Sequence, residues 1–396
     1  MQALIISIDP GLIKEIPKVL TSAGFDVDVL CLKNAVFPSK WINNIYRISS
    51  RDDLVIKAAQ VYSDQYDLVV IGDDEALGLI LNGFISTALK LKLLPVTHER
   101  FFDHVYSKIG LANRLNEGGI RAPKFCIADS AISVYRLAQN MGLPVVLKVD
   151  SSGGGGGVYV CHSVSDLSQA LAKISNYPIL IQEFIPGSLI DLSGFYQHGQ
   201  LVYFTYSVFE KTVGGPLGPS SLRTYSQLGA IDDIIFDELT KLGEALGIHG
   251  FANISAIESN QDNSRYFIEA DLRPTVWVNF GRYLGQDLST AIERYFSKGE
   301  GLGWPVAINP SYPKTRVIPF IWRLTLFDLL VNRYQSWRYV AELSTVEKIQ
   351  LFTTRPIAYL EGLAVSSIKP LLSVTLWKCI ATKYRVAKGL VRSIIH

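Results

Sequence analysis

A chain of 396 residues can hold two or three domains and bury a substantial core, and 48% hydrophobic against 19% charged residues excludes intrinsic disorder. The net charge of +2 makes no general case for nucleic acid, and neither an RNP-like nor a zinc-finger pattern occurs. Four cysteines, Cys31, Cys126, Cys161 and Cys379, are too scattered for a zinc site or a disulfide framework, so a reducing cytoplasm is the expected compartment.

The opening MQALIISIDPG has no basic region before its apolar run, and Asp9 interrupts it, so it reads as a strand and not a signal peptide. No apolar run reaches transmembrane length. Ala3 to Ile8 is a buried-type strand. Leu12, Ile16, Val19 and Leu20 have helical spacing within Gly11 to Ala23, Gly24 closes that helix, and Phe25 to Cys31 is a second strand. Leu54 to Tyr62 predicts a helix and Leu68 to Ile71 a strand ending in Gly72-Asp73-Asp74-Glu75. This alternation implies a small doubly wound α/β domain up to about residue 95. The acids stand where such sheets bind ligands, and equally where a helix takes its N-cap and first-turn carboxylates.

Phe101 to Leu115 reads as a helix containing Ser107-Lys108, followed by the turn Gly118 to Pro123 and a strand from Lys124 to Ala128. Ser130 to Met141 is helical and leads into Pro144 to Val158, PVVLKVDSSGGGGGV. There a short apolar strand carries one cation, Lys148, on a defined face. Five glycines, Gly153, Gly154, Gly155, Gly156 and Gly157, can bring backbone N–H groups against a polyanion, and Val158 to Cys161 resumes a strand. The pattern suggests a phosphate clamp in a β-hairpin; a flexible linker or wide turn is the plainer alternative. It is not a P-loop, since no Gly-Lys-Ser/Thr follows.

Ser165 to Ile174 reads as a helix capped by Ser165, and Ile179 to Ile185 as a strand. Asp191 to Tyr206 alternates as a hairpin turning at His198-Gly199-Gln200, and GGPLGPSSLR reads as a loop. Ile234 to Leu246 is helical, and the strands Ala252 to Glu258 and Arg265 to Glu269 flank the turn 259–264.

Taken in order, these segments resemble the ATP-grasp superfamily of carboxylate–amine ligases from about Phe101 to about Leu284, roughly half the chain. The resemblance rests on Lys108, the GIRAP turn, LPVVLK with its glycine loop, IQEFIPG and FIEADLR. It implies an ATP-grasp fold of class α/β with clamping α+β subdomains over 101–187 and 188–305, between an N-terminal α/β domain over 1–100 and an expected helical extension over 306–396. It also implies ATP and Mg2+ as cofactors, with small-molecule carboxylate and amine substrates. Lys108 and Lys148 would lie along the α- and β-phosphates, the glycine flap would cover the β- and γ-phosphates, and Gln182, Glu183, Phe184 and Ile185 would meet adenine. Glu269 would hold magnesium, with Asp271 where the family usually has Asn and Arg273 where an arginine stabilises the acyl phosphate. Spaced i, i+2, i+4 on an extended segment, these three can face one side.

Two departures stand out. Leu189 occupies the place of the acid that often contacts ribose, for which Asp191 is the candidate substitute. Ser255 stands where a second metal carboxylate is usual, which leaves the magnesium count open; Asn253, Glu258 or Asp271 are candidate compensations. Arg223 in GPSSLR is a candidate for a γ-phosphate or carboxylate contact, and His249 for a base or a structural histidine. Residues 312–396, with IWRLT at Ile321 to Thr325, share a short further resemblance with the ligase that attaches glycine in cyanobacterial mycosporine synthesis. Within 369–396, Lys369, Lys378, Lys383, Arg385, Lys388 and Arg392 among apolar residues predict a basic amphipathic helix, for its own domain or for peripheral contact with an anionic membrane. The rival to a ligase is a weakly active or inactive ATP-binding scaffold associated with membranes through that helix. Homodimerisation is left open.

Overall fold

The computed structural model describes residues 1–9, 11–35, 39–152, 156–212, 216–228, 233–299 and 308–319. The chain divides into two compact units, 1–209 with 224–316, and 210–223 with 317–396. IWRLT and the basic segment 369–396 lie outside the described residues.

The first unit opens with β1 (Gln2–Ser7), α1 (Ile16–Ser22), β2 (Asp26–Leu32), β3 (Asn44–Ile48), α2 (Leu54–Val61), β4 (Leu68–Ile71), α3 (Asp74–Asn82) and α4 (Thr87–Leu93). Its strands form a parallel sheet in the order β3-β2-β1-β4. Along β1, Leu4 and Ile6 enter one core while Ala3 and Ile5 enter another. That is what a parallel strand covered on both faces requires. The doubly wound domain expected from the sequence is present, with β3 as an additional edge. α1 starts at Ile16 and not at Gly11, because Pro17 sits in the first turn, where a missing N–H leaves no helical bond unmade.

Next come α5 (Lys108–Glu117), β5 (Phe125–Ala128), α6 (Ala131–Met141), β6 (Val145–Val149), β7 (Val158–Cys161), α7 (Val164–Leu171) and β8 (Ile179–Glu183). β5 to β8 form an antiparallel sheet in the order β5-β8-β6-β7, and β6–β7 is the expected hairpin. This small lobe has its own core, including Val134, Val145, Leu147, Leu167 and Ile181. α5 begins at Lys108 and not near Phe101. Ser107 Oγ accepts from Gly110 N at 2.9 Å, and Tyr106 just before it has a left-handed φ of 65°. α7 is capped by Ser163 in place of Ser165, with Asp166 completing a capping box.

The remaining elements are β9 (Gly187–Asp191), β10 (Gly194–Gln197), β11 (Gln200–Phe204), β12 (Tyr206–Thr212), β13 (Ser220–Ser226), α8 (Asp233–Leu246), β14 (Gly250–Ser259), β15 (Arg265–Asp271), α9 (Leu288–Lys298) and β16 (Thr315–Pro319). β14 pairs with β10, β9 and β15, all antiparallel, and β9 pairs in turn with β12. Ser220 to Arg223, the end of the stretch read from the sequence as a loop, begins the strand β13, with Ser220, Ser221 and Leu222 buried. Both cores that flank β1 join the N-terminal sheet to the large one, the first through Leu4, Ile6, Leu115, Leu242, Ile254 and Phe267 and the second through Ile5, Val29, Phe195 and Phe251. No helix among the described residues is long and apolar enough to cross a membrane.

Candidate active site

Along β6, Val145 and Leu147 fill the lobe core, so Lys148 leaves the opposite face. Its ammonium is buried and donates to Ile268 O at 3.1 Å. That carbonyl is available because the β14–β15 register passes from Ser255↔Glu269 to Ala256↔Phe267, leaving Ile268 as a bulge. Burial pushes the Lys148 pKa down to about 8; the Glu269 charge opposes this and the Lys108 charge adds to it.

Lys108 is placed by Asp150, at the end of β6. One carboxylate oxygen accepts from Lys108 N at 2.7 Å, Ile109 N at 3.1 Å and Ser107 Oγ at 3.0 Å. Lys108 Nζ donates to Ser152 O and to Ser152 Oγ. The acid that precedes the glycine run therefore caps α5 and ties it to the clamp strand, a role not anticipated from sequence. Gly153, Gly154 and Gly155 lie outside the described residues, whereas Gly156 is exposed. Gly157, at φ +73°, closes the hairpin by accepting from Val149 N at 2.8 Å.

On β8, Gln182 is buried opposite Val146. Glu183 Oε1 accepts from Lys124 N and Glu183 N donates to Lys124 O, both at 2.9 Å, which fixes the strand end. Phe184 and Ile185 are half-buried, and Phe184 meets His162 edge-on at 5.6 Å.

The large sheet presents a polar row. Ser207, Asp191, Ser255 and Glu269 are directly opposed in register across β12, β9, β14 and β15, and Asn253 opposes Asp271. Directly opposed residues share a face, so Asp191 and Glu269 flank Ser255 on one side of the sheet. Asp191 is 1% exposed, and its Oδ1 accepts from Ser193 N at 3.1 Å. Asn253 Nδ2 donates to Asp271 Oδ2 at 3.3 Å. Arg273, just after β15, donates through Nε and Nη2 to Asp74 at 2.6 and 2.7 Å, and through Nη2 to Asp271 at 3.0 Å. Burial, then the Glu269 charge, push the Asp271 carboxyl well above the usual carboxylate range, against the pull of Arg273. Glu269 and Asp271, two apart on β15 with the second disfavoured as an anion, are a pair that fits a hard cation. Among the described residues no group of three or more acids, histidines or cysteines gathers around a metal position. Magnesium takes one or two carboxylates and leaves its other positions to phosphate and water.

The acidic cluster supplies the N-cap and first-turn acids of α3. Asp73 caps α3 through Ala76 N at 2.8 Å and also accepts from Ser7 Oγ and the amides of Ile8 and Asp9. Asp74 reaches the site through Arg273, while Glu75 pairs with Arg51 at 2.9 Å. Arg223 belongs to the second unit, where it is buried and donates from Nε to Ser220 Oγ at 2.7 Å. His249 Nδ1 accepts from His198 N at 3.3 Å, and burial, then His198, lower its pKa to about 4.

A lysine-bearing hairpin lobe set over a carboxylate-lined antiparallel sheet, behind a doubly wound domain, defines the ATP-grasp fold. Residues 113–189 match the ATP-grasp domain family model, so the chain carries an ATP-grasp domain. Among solved structures it is similar to N5-carboxyaminoimidazole synthetase from Staphylococcus aureus complexed with ADP, with a TM-score of 0.62 and 14% identity over 84% of this chain and 85% of that one. It is similar also to L-amino acid ligase from Bacillus licheniformis, with a TM-score of 0.55 and 17% identity over 74% and 73% of the two chains. In sequence, 209 residues are 29% identical to the carbamoyl phosphate synthase large chain of Xylella fastidiosa, which covers 50% of this chain and 19% of that protein.

Proposed function

We propose that the chain is a magnesium-dependent ATP ligase that joins a carboxylate to an amine, with an amino acid as the amine. The observation that carries this reading is the convergence of Lys148, from the small lobe, on the β15 bulge beside Glu269, Asp271 and Arg273. Cations suited to a polyphosphate and carboxylates suited to magnesium thus meet across two separately built sheets.

In this reading Lys108 and Lys148 neutralise the α- and β-phosphates, the glycine run supplies backbone donors, and Gln182 to Ile185 border the adenine. A substrate carboxylate oxygen attacks the γ-phosphorus, the bridging P–O bond breaks, and its electron pair leaves with ADP. The amine then attacks the acyl carbon, the C–O bond breaks, phosphate departs and the amine gives up a proton. Glu269 and Asp271 would hold magnesium, which supplies positive charge to the phosphate oxygens when bound. The protein contributes position and charge neutralisation and forms no covalent intermediate of its own.

The test is ADP release over a panel of amino acids paired with carboxylates. Turnover with any pair supports the ligase. Tight ATP binding with no ADP from a broad panel overturns it in favour of a nucleotide-binding scaffold, the reading that Ser255 in place of a metal acid favours.

A further inference from the structure

We propose that Asp74 is the positioning residue for Arg273, so that the N-terminal domain is part of the phosphoryl-transfer site; the inference rests on the ligase reading above. Arg273 comes from the far end of the metal strand, 199 residues away in sequence. Its Nε and Nη2 meet both Asp74 oxygens, at 2.6 and 2.7 Å, in the two-pronged geometry that fixes the plane of a guanidinium. Nη2 also bridges to Asp271 at 3.0 Å, while Nη1 makes no hydrogen bond to a described residue. One edge of the guanidinium is therefore held by the protein and one nitrogen is left for an oxyanion.

Asp74 is itself held firmly. It is the first residue of α3, immediately after Asp73, whose carboxylate accepts from Ala76 N, Ser7 Oγ, Ile8 N and Asp9 N. The neighbouring Glu75 is engaged by Arg51, which leaves Asp74 as the acid of this turn on Arg273. Tyr106, in its left-handed conformation, packs on the same helix so closely that a Cβ on Gly78 would stand 3.1 Å from its ring. A long, flexible arginine ordered in advance by such a support does not have to be ordered during phosphoryl transfer. Asp74 thus acts through Arg273 and touches neither substrate.

The test needs no knowledge of the substrates. Binding of MgADP to the full chain is measured by titration calorimetry with and without beryllium fluoride, which mimics the transferring phosphoryl group. The wild type is expected to bind MgADP more tightly with the fluoride present. In Asp74→Asn and in Arg273→Met, the fluoride-dependent gain, taken relative to each variant's own MgADP affinity, falls by about tenfold to about a hundredfold, the worth of one charge-assisted contact. The double variant loses no more than Arg273→Met, and Asp74→Glu recovers part of the gain. Thermal melts establish that each variant is folded, and Asp74→Glu carries the test if Asp74→Asn is not. A purely structural ion pair would lower the melting temperature and leave the gain intact, which overturns the proposal. Absence of any fluoride-dependent gain in the wild type overturns it as well. Failure of the wild type to bind MgADP is a different outcome, which removes the ligase reading and this inference with it.

Discussion

Lys148 is an ammonium buried in a strand with one carbonyl partner, Ile268 O, in place of a carboxylate. Burial lowers its pKa from 10.5 to about 8, so keeping it charged at neutral pH costs the empty protein about 3 kcal/mol. A polyphosphate would relieve that cost. Lys148→Met is therefore expected to raise the melting temperature of the nucleotide-free protein while weakening ATP binding by about 2–5 kcal/mol. Calorimetric melts and ATP titrations check both; a destabilised variant that binds ATP normally would place Lys148 in the core and not in the site. A second prediction concerns magnesium. Glu269→Gln should abolish magnesium-dependent turnover with the fold intact. If Asp271 compensates for Ser255, Asp271→Asn should need more magnesium for half-maximal activity. Adding Ser255→Asp should restore the wild-type requirement, because position 255 is directly opposite Glu269 and on its face of the sheet. A magnesium titration in which Asp271→Asn matches the wild type removes the compensation.

Asp150 joins two elements, and removing it tests whether that joint matters to the ligand. Asp150→Ala takes an acceptor from three donors at the start of α5, at a cost of about 1–2 kcal/mol. Amide exchange at residues 108–112 should quicken and ATP affinity should fall, since Lys108 loses its anchor. Faster exchange with unaltered affinity would make Asp150 a helix cap and nothing more. Elements of this kind mark the boundary of what was legible beforehand. The strands around Ile5, Val70, Leu147 and Ile181 are apolar runs and were readable as such. Lys108, Lys148, Glu269, Asp271 and Arg273 stand out as candidates because five motifs follow one another in a recognisable order. β3, with half-buried Ile45 and Tyr46 and exposed Asn44, has too short and mixed a pattern to announce a strand. The start of α5 depends on a left-handed tyrosine that no periodicity reveals. The carbonyl that receives Lys148 is set by a bulge, and the acid that holds Arg273 lies 199 residues away. Register and tertiary pairing leave no local trace.

The molecule as a whole should be sensitive to acid, and the histidines give the direction. His104 is 2% exposed in the segment before α5; Nε2 donates to Leu246 O at 2.8 Å at the end of α8, and Nδ1 has no partner among the described residues. Burial outweighs the Leu246 carbonyl and pushes the His104 pKa from 6.5 down to about 4. His249 is lowered likewise to about 4 by burial and then by His198. Both are therefore neutral when folded and take up protons when unfolded, so the unfolded state binds more protons between the two pKa values. The stability these groups confer is fully present above about pH 6.5 and is lost progressively as pH falls through 4. At pH 5 each site should cost about 2 kcal/mol relative to neutral pH, His249 somewhat less because it titrates beside His198. Two nearby residues of the His104 segment, Phe101 and Val105, belong to a core shared by the N-terminal and large sheets, so the loss should reach both. Urea unfolding at pH 7.5 and pH 5 measures the effect. His104→Asn retains a donor for the Leu246 carbonyl without a titrating ring, and is expected to remove about 2 kcal/mol of the acid-dependent loss while changing little at pH 7.5. Stability that stays level from pH 7.5 to 5 in the wild type, or an equal loss in His104→Asn, would show that these rings gain access to water and are not the source of acid lability.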